Sequence, residues 1–344
     1  MKKTILAKQA IASMMSSSIE ELLEAPAQQA ITFGNTFVEN APRTRAAYDG
    51  SYNNTNNSLT QFQVYGIITN RDEESGRLFT GNDVKKNGSE WTYKCPTQYW
   101  IPGNTYNFTA IVHGNEGEAI STDIDALQQP TAIQVTDASV QKDILFAENG
   151  PIISTDPTWG EKVSFTFLHL LSKVKFTVKN GITTQNGYKY KVENIKITNA
   201  AMEGTYTIGT GWGDVQETET PFQPHFGHAV AALNEKASVA VEVGTPIEIG
   251  KSCESNFERL LIPATQQFNI QFDYYLYNGE QEIDVQLGKT LITKEMTLQA
   301  GHAYNFIINL ANPGEPITFD VNAVEEWDTD HDDNGTKNDE TPIN

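Results

Sequence analysis

Short runs in which apolar and polar residues alternate occur along most of the chain. The clearest run, at 268–278, places Phe268, Ile270, Phe272, Tyr274 and Leu276 on one face. A period of two is typical of a half-buried β-strand. The same criterion predicts strands at 30–38, 60–68, 90–94, 105–113, 142–147, 162–180, 190–200, 204–209, 238–244, 259–264, 268–278, 296–310 and 316–327. Because turn residues rather than long helical patterns separate these runs, the sequence predicts an all-β protein made of antiparallel β-sandwiches.

A segment rich in turn residues divides the predicted strands into two series. Residues 148–161 contain two prolines and two glycines, which is typical of a linker. A chain of 344 residues corresponds to about two domains at roughly 150 residues each. We therefore expect a first β-sandwich domain at 46–155 and a second at 156–327. Residues 123–129 are at best a short helix.

One local pattern occurs in both series. The stretch "IPGNTYNFTAIV" (101–112) and the stretch "LQAGHAYNFIINL" (298–310) each contain a glycine turn, then Tyr-Asn-Phe, then alternating aliphatic residues. The simplest interpretation is one turn-and-strand device used twice, in two similarly built domains. The alternative is that such strand starts are common in any β protein.

The charge and cysteine content exclude several classes of partner. The net charge is −20, so nucleic acid and anionic membrane surfaces would be repelled. The two cysteines, Cys95 and Cys253, are too few for a disulfide framework or a metal cluster. Residues 1–27 begin like a basic export leader but are only weakly apolar, so they are a degenerate leader or a non-native N-terminus. Residues 328–344 are acidic and contain one aliphatic residue, which predicts a disordered tail.

Three local motifs suggest ligands, and each departs from the pattern its chemistry needs. "GTPIEIGKS" (244–252) has five rather than four residues before Gly-Lys-Ser, so a phosphate-binding loop would be out of register. "DHDDNG" (330–335) opens like a calcium loop, but Thr341 stands where the bidentate glutamate belongs, so weak calcium binding is only an alternative. His225 and His228 lack a third metal ligand. The sequence therefore predicts no cofactor, no metal and no enzymatic activity; a hydrolase is the residual alternative.

The order of several strand-and-turn phrases resembles the fimbrillin family of Bacteroidetes-type bacteria. The similar phrases extend from about residue 28 to 327: "QQAITFGNTFVENAPRTR", "QFQVYGI", "QYWIPGNTYNFTAIVHG", "FLHLLSKVKFTVKN", "IKITNAAMEGTYTIG", "LLIPATQQFNIQFDYYLYNG" and "LQAGHAYNFIINL". The resemblance implies two transthyretin-like antiparallel β-sandwich domains in tandem. It also implies a structural or adhesive subunit of a fimbria, exported to the outer membrane and the cell surface.

The resemblance further implies activation by proteolysis. In such subunits an arginine-specific or trypsin-like protease removes the first strand, and a strand from a neighbouring fimbrial subunit then fills the open groove. The matching segment here is 28–45, whose strand contains Ile31, Phe33, Phe37 and Val38. Ile31, Phe33 and Phe37 share one face and Val38 lies on the other. The alternative is an ordinary edge strand.

The expected processing loop follows this strand. Arg43 and Arg45 are the only basic residues between Lys8 and Arg71, so a protease specific for basic residues would be confined to one place. We expect cleavage at Arg45–Ala46, with Arg43–Thr44 as the second choice. The alternative is a pair of solvated arginines in a loop.

Two features depart from the family pattern, and one rival function remains open. The leader lacks a lipid-anchor cysteine, and the tail after Trp327 is too polar to be a donated strand. Either "ITFDVNAVEEW" (317–327) is the donor, or the subunit needs no donation. The rival is a surface carbohydrate-binding protein that never polymerises, whose Trp91, Trp100 or Trp212 would stack on host or bacterial glycans. Core packing is the favoured interpretation of these tryptophans.

Overall fold

The computed structural model describes residues 29–34, 37–38, 59–113, 119–136, 142–183, 188–217, 222–226, 252–254 and 259–326. Within these ranges the regular structure is β-strand, with no helix. The all-β class predicted from the alternating pattern is therefore confirmed. The strands are β1 (Phe37–Val38), β2 (Gln61–Thr69), β3 (Ser75–Asn87), β4 (Glu90–Tyr93), β5 (Thr105–Val112), β6 (Ile120–Ile124), β7 (Pro130–Val135), β8 (Leu145–Ile153), β9 (Thr166–His169), β10 (Ser172–Asn180), β11 (Tyr188–Ile197), β12 (Ala201–Thr207), β13 (Gly211–Glu217), β14 (Phe222–Phe226), β15 (Ser252–Glu254), β16 (Arg259–Leu261), β17 (Thr265–Gln266), β18 (Asn269–Asn278), β19 (Gln281–Ile292), β20 (Met296–Thr297), β21 (His302–Leu310) and β22 (Thr318–Glu326).

The largest sheet has seven strands in the order β1-β9-β8-β5-β2-β3-β4. Its strands pair antiparallel, except that β1 runs parallel to β9. The central strand β5 shows why it forms: Tyr106, Phe108 and Ala110 alternate with half-buried polar neighbours and are themselves buried. Their side chains belong to an aromatic-rich core on one face of this sheet.

The second half of the chain forms two further sheets, and their buried apolar side chains share a cluster with residues of the first half such as Ile133 and Phe146. One has the order β15-β10-β21-β22, with β16 also paired to β10, and the other has the order β14-β11-β18-β19. The predicted inward face of β18 is confirmed, because Ile270, Phe272 and Leu276 are buried and Tyr274 is partly buried. Phe268, just before β18, packs against Phe306 of β21 with 5.5 Å between ring centroids.

Strand pairing crosses the position at which the sequence suggests a domain boundary. A four-stranded sheet with the order β13-β12-β7-β6 joins strands from both halves, with Val135 of β7 opposite Gly204 of β12. The strand β9 lies after the expected linker but pairs with β8 in the seven-stranded sheet. The ranges 46–155 and 156–327 therefore stay a prediction. Two sheets contain strands from both ranges.

Two local interpretations of the sequence are wrong. The expected linker at 148–161 begins as strand, because β8 continues to Ile153 before the turns start. The expected helix at 123–129 is the end of β6 and a turn. The Asp125 carboxylate accepts hydrogen bonds from the backbone N–H groups of Leu127 and Gln129, both at 2.8 Å. Such side-chain acceptors compete with helix formation.

The device expected from the repeated phrase occurs in both halves. Tyr106 of β5 accepts a hydrogen bond from the N–H of Ile101, five residues earlier, at 2.6 Å. Tyr304 of β21 accepts from the N–H of Gln299, also five residues earlier, at 2.7 Å. The turns before them contain Gly103 and Gly301, whose φ angles of 87° and 71° are readily accessible only to glycine. The interpretation of one turn-and-strand device used twice is therefore confirmed.

Candidate functional site

Residues 29–34 lie between two other parts of the chain and hydrogen-bond to both. We call residues 29–34 together with β1 the N-terminal segment. On one side, Ile31 N–H donates to Gln98 O at 2.8 Å and Trp100 N–H donates to Gln29 O at 2.9 Å. On the other side, Gly34 N–H donates to Val163 O and Val163 N–H donates to Thr32 O, at 2.9 and 2.8 Å. The segment is thus an inserted strand, antiparallel to one neighbour and parallel to the other.

The side chains of this segment alternate between the core and the solvent. Ile31 and Phe33 are fully buried, whereas Thr32 is exposed. The Phe33 ring contacts five other aromatic rings, with centroid distances from 5.5 to 6.4 Å: those of Phe62, Phe79, Tyr93, Phe108 and Phe165. The N-terminal segment therefore supplies the centre of the aromatic core of the seven-stranded sheet, as the predicted face of Ile31 and Phe33 requires.

Tyr93 connects the core to the backbone of the segment. Its hydroxyl donates to Ile31 O at 2.9 Å and accepts from Gln98 N–H at 3.3 Å. Burial raises the pKa of Tyr93, and the hydrogen bond from the Gln98 backbone opposes that rise. The phenol is therefore protonated at neutral pH and able to donate.

The segment continues into β1, which pairs in parallel with β9. Phe37 lies opposite Thr166 and Val38 lies opposite Phe167. The side chains of Phe37 and Val38 lie outside the described part of the structure, so their predicted faces stay predictions. The processing residues Arg43, Arg45 and Ala46 also lie outside the described residues. Along the sequence, β1 ends five residues before Arg43.

The tryptophans considered for glycan stacking pack against the cores of the protein. Trp91 and Trp100 are buried in the aromatic core. Trp212 is partly buried; its indole N–H donates to Leu170 O at 2.6 Å, and its ring packs on Tyr206. The favoured interpretation of these three residues as packing residues is confirmed.

The described residues contain no group of three or more metal-ligating side chains and no helix of the length and apolarity needed to cross a membrane. Cys95 is a free thiol whose pKa is raised by burial. Several other candidates lie outside the described structure. They are the side chains of His225, His228 and Cys253, and the acidic tail. The 244–252 loop also lies outside it, except for the backbone of its last residue.

Comparison with solved structures identifies the class of fold. A fimbrial protein from Bacteroides vulgatus aligns with 87% of this chain and 99% of its own, at a TM-score of 0.58 and 13% identity. The fimbrial anchor protein Mfa2 from Porphyromonas gingivalis aligns with 87% of this chain and 99% of its own, at a TM-score of 0.37 and 11% identity. The first similarity shows that the fold is that of a bacterial fimbrial protein.

The sequence itself gives the family. The model of the fimbrillin-like family matches residues 44–327, which is most of the chain. The chain belongs to the fimbrillin-like family, and the resemblance suggested by its strand-and-turn phrases is confirmed. A comparison with curated protein sequences gives no significant match.

Proposed function

We propose that this protein is a structural or adhesive subunit of a bacterial cell-surface fimbria, assembled by strand exchange. In this proposal, a protease removes the N-terminal segment and a strand from another fimbrial subunit takes its place. The observation that carries the proposal is the burial of Ile31 and Phe33 in a slot between residues 91–100 and residues 160–163 of the same chain. The family membership is the second support.

The physics of the slot favours replacement over simple loss. Without the N-terminal segment, Gln98 O, Trp100 N–H and both backbone groups of Val163 lose their partners. The aromatic core would also lose the Phe33 ring at its centre. Unpaired strand edges are templates for added strands. A strand from a neighbour restores the backbone hydrogen bonds and fills the pockets with alternate side chains.

The proposed subunit has two transthyretin-like sandwiches in tandem, at 46–155 and 156–327. One observation supports this division. The tyrosine device at Tyr106 and Tyr304 occurs once in each half. The proposed processing enzyme is an arginine-specific or trypsin-like protease acting at Arg45–Ala46 or Arg43–Thr44; the family match begins at residue 44.

Limited digestion with trypsin tests the processing step. We expect a folded remainder whose new N-terminus is Ala46 or Thr44, identified by N-terminal sequencing and intact mass. The double variant Arg43→Gln/Arg45→Gln should resist this cut. The matched control Arg71→Gln, in the exposed turn after β2, should be cut like the unchanged protein. An intact N-terminus with cuts elsewhere would refute the processing step.

Electron microscopy and glycan binding separate the proposed function from its rival. Cut protein, alone or mixed with other fimbrial subunits of its organism, should form filaments, and the uncut double variant should not. A glycan array probed with the uncut monomer tests the rival. Specific glycan binding together with the absence of filaments after cutting would favour a carbohydrate-binding protein that does not polymerise.

A further inference from the structure

We propose that the slot is selective at one position, so that a replacing strand must carry a glycine directly after its buried aromatic residue. This inference rests on the proposed strand exchange and specifies the partner. The position is that of Gly34, which follows Phe33 in the N-terminal segment. A partner strand that fits has the pattern aliphatic, any residue, aromatic, glycine.

The requirement at this position is one of space. A β-carbon placed on Gly34 would lie 2.8 Å from Lys162 Cβ and 3.4 Å from both Lys162 Cδ and Ser164 Oγ. A separation of 2.8 Å between carbon atoms is well inside the 3.5–4.0 Å optimum for such contacts. Gly34 is not among the glycines with positive φ, so its backbone conformation alone would accept other residues.

The neighbour cannot move aside cheaply. Lys162 Cβ is attached directly to the backbone, and the adjoining residue, Val163, makes two backbone hydrogen bonds with the N-terminal segment. Moving Lys162 Cβ by the needed distance would disturb those bonds. A flexible side-chain end could rotate away, but a β-carbon next to a hydrogen-bonded bridge residue cannot move without its backbone.

The Lys162 side chain also crosses the segment. Lys162 Nζ lies 3.2 Å from Glu90 Oε2. Glu90 precedes Trp91 on one side of Phe33, and Lys162 precedes Val163 on the other side. Because both side chains are more than half exposed, the ion pair contributes little stability. It does hold the lysine stem over the place where a side chain at position 34 would project.

The chain's own last described strand illustrates the selectivity. The triplet Ile31-Thr32-Phe33 recurs as Ile317-Thr318-Phe319 at the start of β22. In the same direction and register, Asp320 would then occupy the position of Gly34. A second copy's β22 would thus match the slot at three positions and clash at the fourth. The slot therefore favours a strand from a different subunit and disfavours in-register donation between copies of this chain.

Variants of the intact chain test the steric relationship before any strand is removed. Gly34→Ala should lower the folding equilibrium constant by about tenfold to a hundredfold, because overpacking a filled site is destabilising. In a Lys162→Gly background, which deletes the contacting carbon, Gly34→Ala should have little effect. Glu90→Gln is the matched control: it removes the ion pair, keeps the Lys162 stem, and should leave the Gly34→Ala effect intact. An equal effect of Gly34→Ala in all three backgrounds would overturn the inference.

Peptide exchange into the trypsin-cut protein tests partner selection. Fluorescein-labelled peptides would carry the sequence of residues 29–38, the same sequence with Gly34→Ala, and the sequence of residues 315–324. The first should exchange into the cut protein and bind about tenfold or more tightly than the other two. In cut Lys162→Gly protein, this preference should shrink. Equal binding of all three peptides overturns the selectivity. Exchange of none of them counts against strand exchange itself, and the intact-chain variants then decide the role of Gly34.

Discussion

The side chains of Asp143 and His169 meet inside the protein, with 2.8 Å between Asp143 Oδ2 and His169 Nδ1. Both side chains are fully buried. Asp143 precedes β8, and His169 ends β9, beside Leu145 in the pairing of these two strands. The two side chains therefore share a buried hydrogen bond between the ring nitrogen and a carboxyl oxygen. The pair thus fixes the end of β9 to the start of β8, where the chain passes from the first half to the second.

We expect Asp143→Ala to destabilise the protein by about 1–3 kcal/mol, because the truncation removes a buried hydrogen bond of the His169 ring. Asp143→Asn keeps an acceptor oxygen and should have a smaller effect. Denaturant unfolding at neutral pH measures both. The isosteric variant is the control for packing; equal losses for the two variants would show that an amide oxygen cannot replace the carboxylate in this contact.

Phe33 should be among the most sensitive positions of the uncut chain. Replacing a buried phenylalanine by alanine costs about 3–5 kcal/mol, from lost transfer free energy and the cavity left behind. Thr32→Ala, on the exposed side of the same segment, should change the free energy of unfolding by less than about 0.5 kcal/mol. Chemical denaturation compares the two. After trypsin cutting, the Phe33→Ala fragment should dissociate faster than the unchanged fragment, as followed by size-exclusion chromatography.

Tyr106 and Tyr304 should respond alike to loss of their hydroxyl groups. Tyr106→Phe and Tyr304→Phe each remove a bond accepted from a backbone N–H five residues earlier and one donated to a carbonyl seven residues earlier. We expect each variant to lose about 1–3 kcal/mol of stability, because a partly buried backbone donor is left unsatisfied. Tyr277→Phe, whose hydroxyl contacts exposed Glu282, is the control and should be nearly neutral. Thermal unfolding measures both losses of stability. If the two variants lose clearly different amounts, Tyr106 and Tyr304 do not have equivalent roles.

Stability should decline in strongly alkaline solution, partly through Tyr190. Burial, followed by the negative charges of ionised Tyr274 and Asp284, raises the pKa of Tyr190 to about 12 from the ordinary value of 10.0. The unfolded chain therefore loses this proton first as the pH rises. The stabilisation that the protonated Tyr190 gives the folded state is complete below pH 10 and is lost between pH 10 and pH 12.

The variant Tyr190→Phe separates this contribution from that of the other buried tyrosines. At pH 8 it loses the hydrogen bond to Ala311 O, which is 2.9 Å long. From pH 10 to 12, its free energy of unfolding should fall less steeply than that of the unchanged protein. Denaturant midpoints across this pH range give both slopes, and identical slopes would refute the role of Tyr190.

The sequence predicted strands from the period of two in their apolar residues. The alternating face of β18 was visible because Ile270 and Phe272 point into the core. The strand β19 (Gln281–Ile292) was missed although Ile283, Val285 and Leu287 alternate with polar residues along it. Its period of two was visible in the sequence, but these apolar side chains are exposed rather than buried, and the strand forms by pairing with β18.

The candidate site was predictable in part for the same reason. The shared face of Ile31 and Phe33 follows from the period of two. The partners of that strand do not, because Gln98 and Val163 are brought to it by long-range pairing that no local pattern encodes. The role of Gly34 was also hidden: a glycine inside a strand signals close approach by another group, but only the fold identifies Lys162 as that group.

The inserted strand is synthesised well before part of the slot that binds it. The Gln29 side chain hydrogen-bonds to Gly160 O, 131 positions further along the chain. At a translation rate of roughly 5–20 residues per second, the ribosome needs roughly 7 to 26 seconds to make that interval. During this time the wall of the slot at residues 91–100 is synthesised, but the wall at residues 160–163 is not. The N-terminal segment therefore cannot finish docking until the end of that interval, and until then its other backbone edge can pair with another strand.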